Sequence, residues 1–309
     1  IVNHMCGTSL IYNFKKNLDC QIDEKVLEEF VRRNDFNIFK NDEIKKNAEK
    51  IDNILKNIKF CDPAVGSGAF IISFINLISN LRDKLKNFIS RKYKNNFYYF
   101  KRNCIQNSIY GVDIDYSAVE IAKLRIWLSL IVDEKDYDKT ESLPNLDFQI
   151  IQGNSLINEI DGYDFHHLNE MKTGEQFELV PDNLWSEFTK TKSKFIELKK
   201  KYFDIQSYTK KVETRREIEL FLKKLSNQLM TLSGKKSKIN FEDNFKKIRS
   251  YKNYFLWNLY FADLLGVNLG FDIIITNPPY VKERENKEKF IEVKKTKWGK
   301  KFHQGKMDF

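Results

Sequence analysis

The residues best suited to chemistry are Thr-Asn-Pro-Pro-Tyr at 276–280, which follow the apolar run 271–275. The β-branched residues of that run predict a buried strand. The two prolines end its hydrogen-bond ladder because neither has a backbone N–H. The side-chain oxygen of Asn277 and the carbonyl of Pro278 are then fixed acceptors at the strand's carboxyl end, beside the Tyr280 ring. This set predicts a site for a planar exocyclic amine, which the acceptors would bind and the ring would stack against.

A second set, Asp-Pro-Ala-Val-Gly-Ser-Gly-Ala-Phe at 62–70, follows the short apolar run 58–61. Gly66 and Gly68 would let a cofactor approach the backbone, and the next helix would offer N–H donors at its N-terminus. The dinucleotide fingerprint requires a glycine where Ile71 stands, and Asp62 would repel a pyrophosphate. Asp62 suits an ammonium or sulfonium group. The loop therefore favours S-adenosylmethionine over a nicotinamide cofactor, and a tight strand–helix turn is the alternative.

Two further polar residues end predicted strands. The second predicted strand is the run 108–115. Asp113 lies at its carboxyl end, where a carboxylate can accept both hydroxyls of a ribose, and Ile114 beside it could pack on an adenine face. Asp115, together with Ser117, is predicted to cap the next helix. Asn154 follows the run 148–152 and could meet the edge of an adenine, although Gly153-Asn154 is equally typical of a turn.

These sets fit methyl transfer to an amine. An exocyclic adenine nitrogen is a poor nucleophile because its lone pair is delocalised into the ring. Two acceptors can draw it toward tetrahedral geometry and stabilise the positive charge that develops. A base inside a duplex is unreachable, so it would have to be flipped out, and Tyr280 could replace its lost stacking.

The alternation of strands and helices predicts an α/β fold, a doubly wound, Rossmann-like sheet with ligands at the strands' carboxyl ends. We predict an N-terminal helical segment at 1–57, a cofactor-binding half at 58–157, a mainly helical insertion at 158–265 and a catalytic strand and loop at 266–309. Pro181-Asp182 and Glu197-Leu198-Lys199 match a loose nuclease pattern. They fall in a helical run, which argues against that chemistry.

Composition limits the partners. The chain has 309 residues and a formal net charge of +10, and residues 281–309 carry ten Lys/Arg against five Asp/Glu, which favours a polyanionic partner. No apolar run is long enough to span a membrane. The four cysteines are scattered and predict free thiols in a reducing cytoplasm, with no metal site.

In this order, the four sets resemble the motifs of amino-group DNA methyltransferases. The order is similar to that of the gamma class, which methylates adenine at N6. In finer detail the chain resembles the methyltransferase portion of single-chain type IIG restriction–modification enzymes, a match strengthened by residues 1–6, 103–127 and 254–257.

The resemblance implies catalytic roles for Asn277, Pro278 and Tyr280. It implies cofactor contacts for Asp62, Pro63, Ala64, Gly66, Gly68, Asp113, Ile114, Asn154 and Pro279. Double-stranded DNA is the expected substrate, with an N-terminal nuclease domain and a C-terminal target-recognition domain in a longer parent. Methylation of RNA or of a protein glutamine, and a non-catalytic nucleic-acid-binding module, remain as alternatives.

Overall fold

The structure, a computed structural model, describes residues 1–18, 22–33, 42–89, 97–132, 144–160, 163–164, 182–232, 255–264, 270–280, 284 and 287–302. The first of these form helices α1 (Val2–Asn17), α2 (Glu24–Arg32), α3 (Asp42–Lys46) and α4 (Ala48–Asn57). Each has a buried apolar side that includes residues such as Leu10, Phe30 and Leu55. The helical pattern predicted for this segment is therefore confirmed over its described residues.

Four parallel strands form the main sheet: β1 (Phe60–Asp62), β2 (Ile109–Asp113), β3 (Ile150–Gln152) and β6 (Ile273–Ile274). Their order across the sheet is β3-β2-β1-β6, so the direction of strand addition reverses between β1 and β6. Phe60 lies opposite both Ile109 and Ile273. A short antiparallel pair, β4 (Glu159–Ile160) and β5 (Tyr163–Asp164), is separate from this sheet.

The strands differ in length from the apolar runs that predict them. Strand β1 starts at Phe60 rather than Ile58, because the backbone N–H of Ile58 still bonds to the carbonyl of Ile54 and ends α4. Strand β3 starts at Ile150 because a turn precedes it, in which the N–H of Ile150 bonds to Leu146. Beyond the two assigned residues of β6, the N–H of Ile275 still bonds to the Cys61 carbonyl.

Three α-helices lie between β1 and β3 along the chain: α5 (Ala69–Leu85), α6 (Phe97–Asn107) and α7 (Tyr116–Ile131). Phe60 of β1 stacks on Phe74 of α5 with 4.3 Å between ring centroids. Arg82 of α5 is buried, and its Nε donates to Asp52 Oδ1 at 2.8 Å while its Nη1 donates to Asn103. The buried charge is thus paired, as burial requires.

The charged run after residue 181 forms two long helices, α8 (Asp182–Phe203) and α9 (Tyr208–Leu232), and this confirms the helical pattern predicted there. Glu197 and Lys199 lie on α8, where Glu197 pairs with Lys194 and Lys199 bonds to Asp263 at 2.7 Å. The two nuclease-like residues therefore lie on a helix and are engaged in ion pairs. Pro181 lies outside the described residues.

The other α-helices among the described residues are α10 (Trp257–Tyr260), α11 (Lys287–Lys295) and α12 (Lys297–Phe302). The rest of the basic segment 281–309, apart from Arg284 and Thr296, is outside the described residues. The chain divides into two compact units, one formed by residues 1–111, 117–141 and 271–277, and the other by 112–116, 142–270 and 278–309. This division does not test the four segments predicted from the sequence, and their boundaries stay predictions. Among the described residues, no helix has the length and apolar character needed to cross a membrane.

Candidate functional site

The loop after β1 is folded around the Asp62 side chain. Asp62 is 1% exposed, and its Oδ1 accepts the N–H of Ala64 at 3.1 Å. The N–H of Gly68 bonds to the carbonyl of Val65 at 2.8 Å, and α5 begins at the next residue. Pro63 and Ala64 are half-buried between these two bonds. The loop is therefore a compact turn that connects the end of β1 to the N-terminus of α5.

Asp62 affects the pKa of the neighbouring Cys61 thiol. Burial, and then the charge of Asp62, raise the pKa of the Cys61 thiol well above its ordinary value. The Asp62 side chain lies buried at the end of β1, in an environment of low polarity where the field of a carboxylate would be weakly screened. Such a group favours a cationic ligand portion over a pyrophosphate.

The two glycines of the loop serve different purposes. Both have positive φ, +49° at Gly66 and +80° at Gly68, a conformation that residues with a side chain rarely adopt. A Cβ at Gly66 would meet nothing within 4 Å, whereas one at Gly68 would lie 3.2 Å from the Cβ of Ala122 on α7. Gly66 therefore borders open space, and Gly68 allows α5 and α7 to pack closely.

Arg125 of α7 holds the same loop and was not predicted from the sequence. Its Nη1 donates to the carbonyl of Ser67 at 2.8 Å and to Ser67 Oγ at 2.9 Å. The available signal was an arginine on a helix that also carries Glu120 and Lys123, and this does not identify a partner 58 residues away. Arg125 fixes the residue between the two glycines.

Asp113 is the last residue of β2, as predicted, but its carboxylate has a local role. One oxygen accepts the N–H of Asp115 at 2.9 Å, and α7 begins at Tyr116. Ile114 is 48% exposed, and its carbonyl accepts a bond from Gln152 Nε2 at 3.0 Å. The Gly153 N–H bonds to the Asp113 carbonyl at 2.7 Å, so the ends of β2 and β3 are tied together.

Asn154 forms a turn directly after β3. Its Oδ1 accepts the N–H of Leu156 at 3.2 Å, and its carbonyl accepts the N–H of Ile157 at 3.2 Å. The turn interpretation of Gly153-Asn154 is therefore correct as far as the backbone is concerned. With one lone pair of Oδ1 engaged, Asn154 can offer a ligand the two donors of Nδ2 and the second lone pair of Oδ1.

The Asn-Pro-Pro-Tyr residues lie exposed after β6. The last ladder bond runs from the Ile275 N–H to Cys61 at 3.1 Å, two residues before Asn277. Asn277, Pro278, Pro279 and Tyr280 are all exposed, and the Tyr280 side chain is 89% exposed. A ring held at the surface by two rigid prolines is available for a planar partner.

Parallel pairing determines which of these residues approach each other. Because Cys61 lies opposite Ile274, the Asp62 loop and Asn277 follow adjacent strands at the same edge of the sheet. Asp113 and Ile114 are bonded directly to Gly153 and Gln152. Among the described residues no group of three or more His, Cys, Asp or Glu could hold a metal ion.

Comparisons with known proteins point to one family. The profile of the Eco57I restriction-modification methylase family matches residues 107–309. The chain is 41% identical over 110 residues to a candidate type II restriction enzyme and methyltransferase of Methanocaldococcus jannaschii, covering 35% of this chain and 9% of that protein. It is 34% identical over 153 residues to the type II restriction enzyme and methyltransferase RM.Eco57I of Escherichia coli, covering 43% of this chain and 15% of that protein.

Each match spans less than a fifth of the relative's length. No solved structure matches the chain significantly. The profile match covers about two thirds of the residues and includes the ends of β2, β3 and β6. On this evidence the chain belongs to the Eco57I restriction-modification methylase family.

Proposed function

We propose that this chain transfers a methyl group from S-adenosylmethionine to the N6 amine of an adenine flipped out of duplex DNA, as part of a type IIG restriction–modification enzyme. The observation that carries the proposal is the pairing of β1 with β6, with Cys61 opposite Ile274. Neighbouring strands lie about 4.8 Å apart. The cofactor-type loop and the amine-binding residues therefore follow adjacent strands at one edge.

The strand order supports this placement. Ligands of open α/β sheets bind outside the carboxyl ends of the strands, where the direction of strand addition reverses. The order β3-β2-β1-β6 reverses between β1 and β6. We include a doubly wound, Rossmann-like arrangement in the proposal on this ground.

The residues present fit S-adenosylmethionine. The space beside Gly66 is open, and the 48% exposed side chain of Ile114 can cover an adenine face. Asp62 would balance a positive charge, Asp113 would accept the ribose hydroxyls, and Asn154 would meet the adenine edge. We assign further cofactor contacts to Pro63, Ala64, Gly68 and Pro279. When bound, the cofactor supplies an electrophilic methyl group.

The chain's own part in the reaction is to orient and polarise the amine. The Asn277 side-chain oxygen and the Pro278 carbonyl accept its two N–H bonds, which localises the lone pair and stabilises the developing positive charge. The exposed Tyr280 ring stacks on the flipped base, an interaction worth about 1–3 kcal/mol. No general base is needed before attack, since the neutral amine is itself the nucleophile.

Calorimetric titration with S-adenosylmethionine tests the cofactor, with NAD as the control ligand. We expect saturable binding of the methyl donor alone, and loss of that binding in Asp113→Ala. Binding of NAD in its place would refute the cofactor assignment.

Methyl transfer tests the acceptor and the catalytic residue. In the full-length parent, tritiated methyl groups should be transferred to duplex DNA and not to RNA or a glutamine peptide. Loss of a fixed acceptor of this type typically costs 10²–10³-fold in rate, so Asn277→Ala should lose about a hundredfold while keeping its affinity for the methyl donor. Asn57→Ala, at the exposed end of α4, is the matched control. An unchanged rate in Asn277→Ala would contradict the proposal.

A further inference from the structure

The segment 255–257 packs against the loop at 153–158, which lies about a hundred residues earlier in the sequence. Phe255 is fully buried, and its ring lies directly on Gly153. A Cβ at Gly153 would approach Phe255 Cδ2 to 2.5 Å, a distance that real Cβ atoms do not show. Gly153 is therefore required by the aromatic ring rather than by its own backbone.

Three hydrogen bonds join the segment to the same loop. The Phe255 N–H donates to the Ile157 carbonyl at 2.8 Å, and the Trp257 N–H donates to Asn158 Oδ1 at 3.1 Å. The indole Nε1–H of Trp257 donates to the Ser155 carbonyl at 3.1 Å. The ring of Trp257 is itself fixed by edge contact with Phe255, at 4.9 Å between centroids.

These contacts grip the residues on either side of Asn154. Gly153 is held between Phe255 and the Asp113 carbonyl, and Ser155 is held by the Trp257 indole. Asn154 itself contacts only its own turn in the bonds described above, through Leu156 and Ile157. Its direction therefore depends on the two neighbours that the aromatic segment fixes.

We propose that Trp257 is a positioning residue for Asn154, and that it sets the discrimination between an adenine and an altered base in the bound cofactor. This inference depends on the proposed function, because it assumes that Asn154 meets the adenine edge. With Oδ1 bonded to Leu156, the Asn154 Nδ2 group donates to a ring nitrogen. Adenine offers an unprotonated N1 to such a donor, whereas hypoxanthine carries a hydrogen there.

The test compares S-adenosylhomocysteine with S-inosylhomocysteine in calorimetric titrations of the 309-residue chain. Trp257→Phe keeps an aromatic ring and removes the indole donor. We expect its affinity for the adenosine ligand to fall about threefold to tenfold, with a smaller change for the inosine ligand. The ratio of the two affinities should thus approach that of Asn154→Ala. The double variant should lose little beyond Asn154→Ala alone, because Trp257 acts through Asn154.

Trp127→Phe, on α7, is the matched control and should leave the ratio at the wild-type value. A ratio in Trp257→Phe equal to that of the wild type would overturn the inference, since general loosening of the fold weakens both ligands alike. Additive losses in the double variant would also overturn it.

Hydrogen exchange gives a readout that needs no ligand. The Leu156 amide should exchange faster in Trp257→Phe than in Trp127→Phe, because the loop loses its anchor at Ser155. Equal exchange at Leu156 would refute the positioning role. If the wild-type chain bound neither ligand, the proposed function would fail, and exchange at Leu156 would still decide whether Trp257 holds the loop.

Discussion

Alanine at Gly66 and alanine at Gly68 should separate the ligand-facing part of the β1–α5 loop from its packing part. Both glycines have positive φ, so either substitution places a side chain in the left-handed region. Only at Gly68 does the new Cβ meet a neighbour, Ala122, at 3.2 Å. Both variants carry the cost of a left-handed backbone, and only Gly68→Ala also carries the cost of the contact with Ala122.

The structure gives the size of each effect. The left-handed conformation costs a residue with a Cβ about 1–2 kcal/mol. At Gly68 a further overpacking cost of about 1–3 kcal/mol applies, because α5 and α7 must separate slightly to admit the methyl group. We therefore expect the free energy of unfolding to fall by about 1–2 kcal/mol in Gly66→Ala and by about 2–5 kcal/mol in Gly68→Ala.

Binding should rank the two variants differently. The methyl group of Gly66→Ala would project into the open space that we assign to S-adenosylmethionine, so the affinity should fall about tenfold or more. Urea unfolding of the free protein and calorimetric titration measure the two quantities. Gly7→Ala, within helix α1, is the control, because a Cβ at position 7 would lie at an ordinary distance of 3.5 Å from Val31.

Two results would refute the reasoning. Wild-type affinity for the methyl donor in Gly66→Ala would show that the open space is not the cofactor's. Equal stability of Gly66→Ala and Gly68→Ala would show that the Ala122 contact carries no cost.

Two more predictions concern α7 and the core. Arg125→Lys loses the two hydrogen bonds that the guanidinium donates to Ser67, so it should bind the methyl donor about threefold to tenfold more weakly by calorimetry. Arg216→Gln, at an exposed position of α9, is the control and should bind it as the wild type does. Unchanged binding in Arg125→Lys would contradict a role in holding the loop. Burial raises the pKa of Cys104 from 9.0 to about 12, so the folded state keeps a proton that the unfolded thiol releases. This contribution to the free energy of unfolding is fully present below pH 9.0 and is lost between pH 9.0 and about 12, by about 1.4 kcal/mol per pH unit. Urea unfolding as a function of pH should therefore show a shallower loss of stability in Cys104→Ala than in the wild type. Equal slopes in the two proteins would refute the prediction.

The positions of the strands and of the chemical residues that follow them could be predicted from the sequence. Runs such as 271–275 are apolar and β-branched, and prolines or glycines follow them, so the signal is contained in a few consecutive residues. The structure has strands ending at Asp62, at Asp113 and just before Asn277. The helical character of the run that contains Glu197 and Lys199 was equally visible, because periodicity extends over many turns.

Strand boundaries were less predictable than strand existence. Ile58 is apolar and β-branched, yet it ends α4 because its N–H completes a helical bond to Ile54. Local composition does not reveal which of two adjacent elements will take such a residue. At Asp113 the strand end was predictable but the partner of the side chain was not, since the carboxylate accepts the N–H of Asp115 within a turn.

Tertiary structure alone decided how the site residues are held. The sequence by itself determined that a loop with two glycines follows one strand and that Asn-Pro-Pro-Tyr follows another. Only the folded chain places β6 beside β1, closes Gly68 on Ala122, and sets Arg125 on Ser67. It likewise brings Phe255 onto Gly153. The physical reason is the separation of the interacting residues along the sequence. Whether a run forms a strand depends on neighbouring residues. Each of these contacts, in contrast, joins residues more than fifty positions apart and exists only after the core has packed.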